Sequence, residues 1–126
     1  MTIFLVEDDS VYADFIRKSL ARDGARIITW FPNAEDCLAA ANTHGIPDAL
    51  ILDYKLPGML GIELYEKLQP RFTPETKGII MSSIDDGNLV LSFIQRGVRD
   101  YVIKDDNVIE TLNAILEGNE DDLYLF

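Results

Sequence analysis

Residues 49–61 read Ala-Leu-Ile-Leu-Asp-Tyr-Lys-Leu-Pro-Gly-Met-Leu-Gly. Four apolar residues make a run of the length of a buried strand, and the run ends on Asp53. The Pro57-Gly58 pair then reads as a turn, so the Asp53 carboxylate stands at a strand end with loop carbonyls close by. Three further runs end in the same way. Ile3–Val6 leads into Glu7, Asp8 and Asp9; Gly78–Met81 leads into Ser82 and Ser83; Asp100–Ile103 leads into Lys104. As parallel strands of one sheet, these runs gather their polar ends at its carboxyl edge, where open α/β sheets bind ligands.

The segments between the runs read as helices. A helix from about Ser10 carries Val11, Phe15, Ile16 and Leu20 on one face and stops at Gly24. Arg26–Phe31 is a second strand closed by Pro32, and Asn33 caps a helix running to about Asn42. Ile62–Leu68 is a short helix ended by Pro70. Asp86–Arg96 is a helix with Leu89, Val90, Phe93 and Ile94 as its apolar stripe and Gly97 as its stop. Tyr101–Ile103 is the fifth strand, and Val108–Leu116 the last helix. Five strand–helix repeats imply an α/β domain with a doubly wound, five-stranded parallel sheet flanked by five helices.

Composition bounds the function. At 126 residues and 48% hydrophobic content the chain is one domain, residues 1–126, with a core of its own and an acidic tail from about 118. The net charge of −11 argues against direct binding of nucleic acid, which needs Lys and Arg. No apolar run approaches a membrane span, and the amino terminus shows no secretory signal, so a cytoplasmic location is expected. The single cysteine, Cys37, lies in an Ala-rich stretch and reads as a buried structural thiol. His44 beside Gly45 reads as a loop residue, and Glu63, Glu66 and Lys67 as a solvated helix face.

Glu7, Asp8 and Asp53 at one edge need compensation. Two carboxylates about 5 Å apart repel by roughly 3 kcal/mol at an effective dielectric near 20. Lys104 supplies one permanent charge, and a hard cation supplies the rest. Mg²⁺ suits a site of one or two carboxylates, a loop carbonyl such as that of Lys55, and phosphate oxygens.

The acidic opening Glu7-Asp8-Asp9, the Asp53…Pro57…Gly61 segment, the strand-end Ser83 and the Tyr101-x-x-Lys104 pair occur in order along almost the whole chain. In these motifs the chain resembles the receiver domain of two-component response regulators, of the chemotaxis-regulator kind. The resemblance implies a flavodoxin-like sheet in the order 2-1-3-4-5. It implies that Asp53 accepts a phosphoryl group from the phosphohistidine of a histidine kinase or phosphotransfer protein. Asp8 is then the direct metal carboxylate, with Glu7 and the Lys55 carbonyl beside it, for Mg²⁺ or Mn²⁺. Asp9 falls beyond that pair and caps the first helix. Ser83 corresponds to the hydroxyl that meets a phosphoryl oxygen, Lys104 to its lysine, and Tyr101 to the switch aromatic. Lys55 and Asp85, two residues beyond Asp53 and Ser83, take positions that set the lifetime of the phosphorylated state. Ile84 stands where the family has Ala or Gly and narrows the approach. Asp105 stands where many members carry proline.

By the same resemblance the chain is a signalling domain rather than an enzyme, assisting only its own phosphorylation and dephosphorylation. It addresses a downstream protein through its fourth helix, fifth strand and fifth helix, and phosphorylation-dependent homodimers occur among such domains. The alternative within the family is a receiver cut from a longer transcriptional regulator or hybrid kinase. A haloacid-dehalogenase-type phosphohydrolase is a remote rival: it wants its nucleophile on the first strand and a second Asp where Lys55 stands. An FMN-binding fold is opposed by the lack of a Ser/Thr/Gly-rich phosphate loop after the first strand.

Overall fold

A computed structural model describes residues 1–21 and 24–118. Strand and helix alternate as β1 (Thr2–Val6), α1 (Ser10–Leu20), β2 (Ile27–Phe31), α2 (Ala34–His44), β3 (Ala49–Asp53), α3 (Gly61–Leu68), β4 (Lys77–Ser82), α4 (Gly87–Gln95), β5 (Asp100–Ile103) and α5 (Val108–Leu116). All strand pairs are parallel, in the order β2-β1-β3-β4-β5. The doubly wound sheet and its strand order are those expected. Beyond Gly118 the acidic tail lies outside the described residues.

The central strand β3 is buried along its whole length, which is why its sequence is continuously apolar rather than alternating. Alternate side chains feed two cores. Ile51, Ile79, Met81 and Val102 pack with Ile16 and Leu20 of α1 and Leu112 and Ile115 of α5. Leu50, Leu52 and Ile80 pack with Cys37 of α2, Leu64 and Leu68 of α3, and Phe93 of α4. Arg26 ties the entry of β2 to both neighbouring helices, donating to the Leu20 carbonyl at 3.0 Å and to Asn113 Oδ1 at 2.6 Å.

Two helical faces differ from expectation. On α1, Val11 and Phe15 are 79% and 47% exposed, and Ala13, Ile16 and Leu20 face the core instead. On α4 only Phe93 of the expected stripe is buried; Leu89 and Val90 are half-buried and Ile94 is 57% exposed. Apolar spacing fixes a stripe, but the width of sheet available beneath the helix decides how much of it is covered. Helix α1 also stops at Leu20, before Gly24, whose φ of +70° serves the turn toward β2. The Pro70 stop holds in modified form, since Gln69–Arg71 continue α3 as one 3-10 turn with the proline in its first positions. No helix among the described residues is long and apolar enough to cross a membrane.

Cys37 is fully buried and burial pushes its thiol up to about 12. A thiol-specific reagent at pH 8 is expected to leave the native protein unmodified and to label one thiol in denaturant. Rapid labelling without denaturant would show that α2 does not pack as described.

Candidate functional site

The carboxyl edge of β1 is held before any ligand arrives. The Glu7 amide donates to the Phe31 carbonyl at 3.1 Å, and the Trp30 indole donates to the Glu7 carbonyl at 2.8 Å. Glu7 is therefore fixed in the backbone, and its side chain is only 1% exposed. Asp9 turns away and caps α1, accepting from the amides of Val11 and Tyr12 at 3.0 and 3.2 Å. Asp8 lies between them, exposed.

Asp53 ends β3, the central strand, and is also buried. The loop behind it depends on two glycines. A Cβ on Gly61 would lie 2.1 Å from the Asp53 carbonyl oxygen, so no larger residue fits where α3 begins. Gly58 has φ +76°, and the next amide, of Met59, donates to Glu35 Oε1 at 3.1 Å. These contacts explain the Asp53…Pro57…Gly61 spacing: the loop must return under the strand end it has just left. Lys55 follows Asp53 in a bend with its side chain exposed.

Lys104 closes the site from β5. Its ammonium donates to Glu7 Oε1 at 2.6 Å and lies 3.2 Å from Asp53 Oδ1. Oxygens of Glu7, Asp8 and Asp53 lie within 4.8 Å of one another. Burial, aided by the Asp53 charge and opposed by the bond from Lys104, pushes Glu7 up to about 7. Burial likewise raises Asp53, against the pull of Lys104. Burial works to lower Lys104, but the bond to Glu7 and the Asp53 charge outweigh it and leave the ammonium raised. One lysine thus serves a concentration of negative charge that calls for a second cation. The donors are all hard oxygens, which fits Mg²⁺.

The two serines separate. Strand β4 runs one residue beyond the expected end, and Ser82 is buried within it opposite Ile103. Ser82 follows Ile80 onto the α4 side of the sheet, the face on which Tyr101 packs. The Ser82 hydroxyl accepts from the Ile84 amide at 3.1 Å, while the Lys104 amide donates to the Ser82 carbonyl at 2.8 Å. Ser83 is exposed in the bend outside the strand. Ser82 rather than Ser83 thus lies inside the strand end, linked to Tyr101 through the Ile84 backbone and to the Lys104 amide through its own carbonyl. The register was one residue off because adjacent identical residues leave the strand end undetermined. Only the structural register distinguishes them, since β4 and β5 pair Ser82 with the residue just before Lys104.

Tyr101 donates to the Ile84 carbonyl at 2.6 Å, so the Ile84 backbone is bracketed by the two hydroxyl side chains. Its ring lies 5.7 Å from Phe93, which in turn lies 5.1 Å from Tyr54, the residue after Asp53. Ile84 is half-buried and Asp85 exposed. Asp105 accepts from the Asn107 amide at 2.9 Å, which shapes the entry to α5. Asp53 stands on the third strand of the chain rather than the first, against the phosphohydrolase rival.

Residues 3–116 match the family model described as the response regulator receiver domain. The chain is 30% identical over 113 residues to the DNA-binding transcriptional regulator NtrC of Proteus hauseri, covering 90% of this chain and 23% of that protein. It is 24% identical over 117 residues to the chemotaxis protein CheY of Bacillus subtilis, covering 90% of this chain and 96% of that one. The solved structure of the BeF₃-activated DrrB receiver domain superposes with a TM-score of 0.74 at 27% identity, covering 92% of this chain and 97% of that one.

The crowding at Gly61 gives a direct test. Gly61→Ala is expected to lose about 2–3 kcal/mol or more in urea denaturation, because backbone rather than a flexible side chain must yield. A change below about 0.5 kcal/mol would show that the loop is not seated under Asp53.

Proposed function

Since the chain belongs to the response regulator receiver domain family of two-component signalling, we propose that its Asp53 is the phosphoacceptor. One Asp53 oxygen attacks the phosphorus of a phosphohistidine on a histidine kinase or phosphotransfer protein. The new O–P bond makes an acyl phosphate as the N–P bond breaks and the imidazole takes a proton. Hydrolysis by water releases inorganic phosphate and restores Asp53. The observation that carries this reading is the bridge of Lys104 between Glu7 and Asp53, with Asp8 completing three carboxylates within 4.8 Å.

Glu7, Asp8 and Asp53, with the Lys55 carbonyl, would hold Mg²⁺ or Mn²⁺, which would supply charge neutralisation during phosphoryl transfer. Lys104 meets one phosphoryl oxygen and Ser82 another, in place of the expected Ser83. Lifetime-setting positions two residues beyond Asp53 and that hydroxyl then fall on Lys55 and Ile84, with Asp85 one residue further out. Receiver domains are signalling domains, and here the chain's own groups only assist its phosphorylation and dephosphorylation.

Output follows from the connection between Ser82 and Tyr101. Drawing Ser82 toward the phosphoryl group releases the Ile84 backbone, to which Tyr101 also bonds, and through Tyr101 and Phe93 shifts α4. Val90, Phe93, Ile94, Val98, Arg99 and Tyr101 line a cavity of about 300 Å³ on the α4–β5 side. This face takes the downstream protein or, in a phosphorylation-dependent homodimer, a second copy. The chain spans about a quarter of the NtrC relative and nearly all of the CheY relative, so an effector domain on the same chain and a separate partner are both routes for output.

Two measurements test this. Acetyl phosphate with Mg²⁺ is expected to add one phosphoryl group by intact mass, and none to Asp53→Asn; labelling that survives in Asp53→Asn would move the acceptor. Mg²⁺ at ten times its Kd is expected to stabilise the native state by about 1.4 kcal/mol, a rise of about 5 °C in Tm. Asp8→Ala removes that rise, and a melting curve indifferent to Mg²⁺ in the wild type would sink the cation site.

A further inference from the structure

We propose that Tyr12, which lies in none of the motifs that define the site, is a positioning residue for Lys104: its ring holds the ammonium in place over Asp53 throughout the phosphorylation cycle. The inference rests on the reading of Asp53 as phosphoacceptor and of Lys104 as the lysine that meets the phosphoryl group.

The Lys104 ammonium lies 4.6 Å from the centroid of the Tyr12 ring, within the range at which the negative ring face attracts a cation. Tyr12 is fixed there from two sides. Its amide donates to the capping carboxylate of Asp9 at 3.2 Å, which ties the first turn of α1 to the acidic opening. Its ring packs on the α1–α5 core and lies 5.7 Å from the ring of Phe15. The ammonium therefore has three neighbours: the Glu7 carboxylate, the Asp53 carboxylate and an aromatic face.

These neighbours differ in what happens to them during the cycle. Glu7 and Asp53 are the carboxylates that would turn to a bound cation, and phosphorylation would convert Asp53 into an acyl phosphate. Lys104 then loses the contacts that localise it at the moment it must meet a new oxygen. A lysine carries four rotatable bonds and is easily lost to solvent. The Tyr12 ring is uncharged, binds no metal and is not consumed, so it is the one contact available before and after transfer.

The hydroxyl is a separate matter. Among the described residues Tyr12 Oη is buried without a hydrogen-bond partner, a state that costs stability. The ring alone accounts for the contact with Lys104, so a phenylalanine serves the positioning role equally well.

The test uses the whole chain and three proteins: wild type, Tyr12→Phe and Tyr12→Leu. Tyr12→Leu is expected to slow labelling by acetyl phosphate about two- to fivefold, the range of an exposed to partly buried cation–ring contact. Tyr12→Phe is expected to label at the wild-type rate with an unchanged or higher Tm. The Mg²⁺ midpoint is expected not to weaken in either variant, since the carboxylates remain. A general packing defect would slow Tyr12→Phe as well or weaken Mg²⁺ binding, and either result overturns the proposal. Independently of any variant, the Lys104 Hε resonances of the metal-free wild type are expected upfield of ordinary lysine through the ring current. They are expected to stay upfield with Mg²⁺ and beryllofluoride bound. Ordinary shifts in the free protein, or their loss on beryllofluoride binding, would also overturn it. Failure of the wild type to label at all would sink the phosphoacceptor reading instead, and the metal-free Lys104 shifts would still decide the role of Tyr12.

Discussion

Two buried carboxylates on neighbouring strands can coexist only beside a positive charge, and Lys104 provides it from the far edge of the sheet. Removing one partner of such a buried cluster costs about 3–5 kcal/mol, because the remaining charges have no water to turn to. Everything that fixes the sheet edge serves this contact. Trp30 and Phe31 of β2 fix the Glu7 backbone, Gly61 seats the loop under Asp53, and the Ser82 carbonyl receives the Lys104 amide. The strand order matters for the same reason, since β3 in the middle lets β1 and β5 reach Asp53 from either side.

Most of that edge was legible in the chain, for a physical reason. A polar residue directly after a continuous apolar run has few structural uses, so Glu7, Asp53 and Lys104 announced themselves by position. Glycine was equally readable at Gly61, where the backbone crossing leaves no room for a side chain. What was not legible turned on one residue or on neighbours distant in sequence. Ser82 and Ser83 are chemically identical, and only the pairing of β4 with β5 shows which is inside. The α4 stripe was legible as apolar but its cover was not, because periodicity reports a pattern and not the breadth of sheet under it. Tyr12 escaped notice because its partner, Lys104, lies on the last strand.

The half-covered α4 also has a functional sense. A helix with Phe93 as its only buried side chain, and with Leu91 and Ile94 more than half exposed, is held to the sheet by little apolar area. Elements that move in switching are drawn from the weakly held end of a structure. The row Tyr54, Phe93, Tyr101 links the residue after Asp53 to that helix and to β5. A change at Asp53 would therefore have a packed route to a helix held by a single buried side chain.

Such coupling runs both ways. If the arrangement with Ser82 drawn toward the phosphoryl group also presents the α4–β5 face, a partner that prefers this face tightens the binding of a phosphoryl mimic by the same factor. The factor is limited by how differently the two arrangements contact each ligand, not by how tightly either binds. The contacts such a change would break are few: the bonds of Ser82 and Tyr101 to the Ile84 backbone, and the seating of Phe93. A handful of neutral hydrogen bonds and one ring, at about 1 kcal/mol each, makes a coupling of one to three kcal/mol the natural scale. That scale biases an equilibrium without locking it, which suits a domain that must return to rest once its acyl phosphate has hydrolysed.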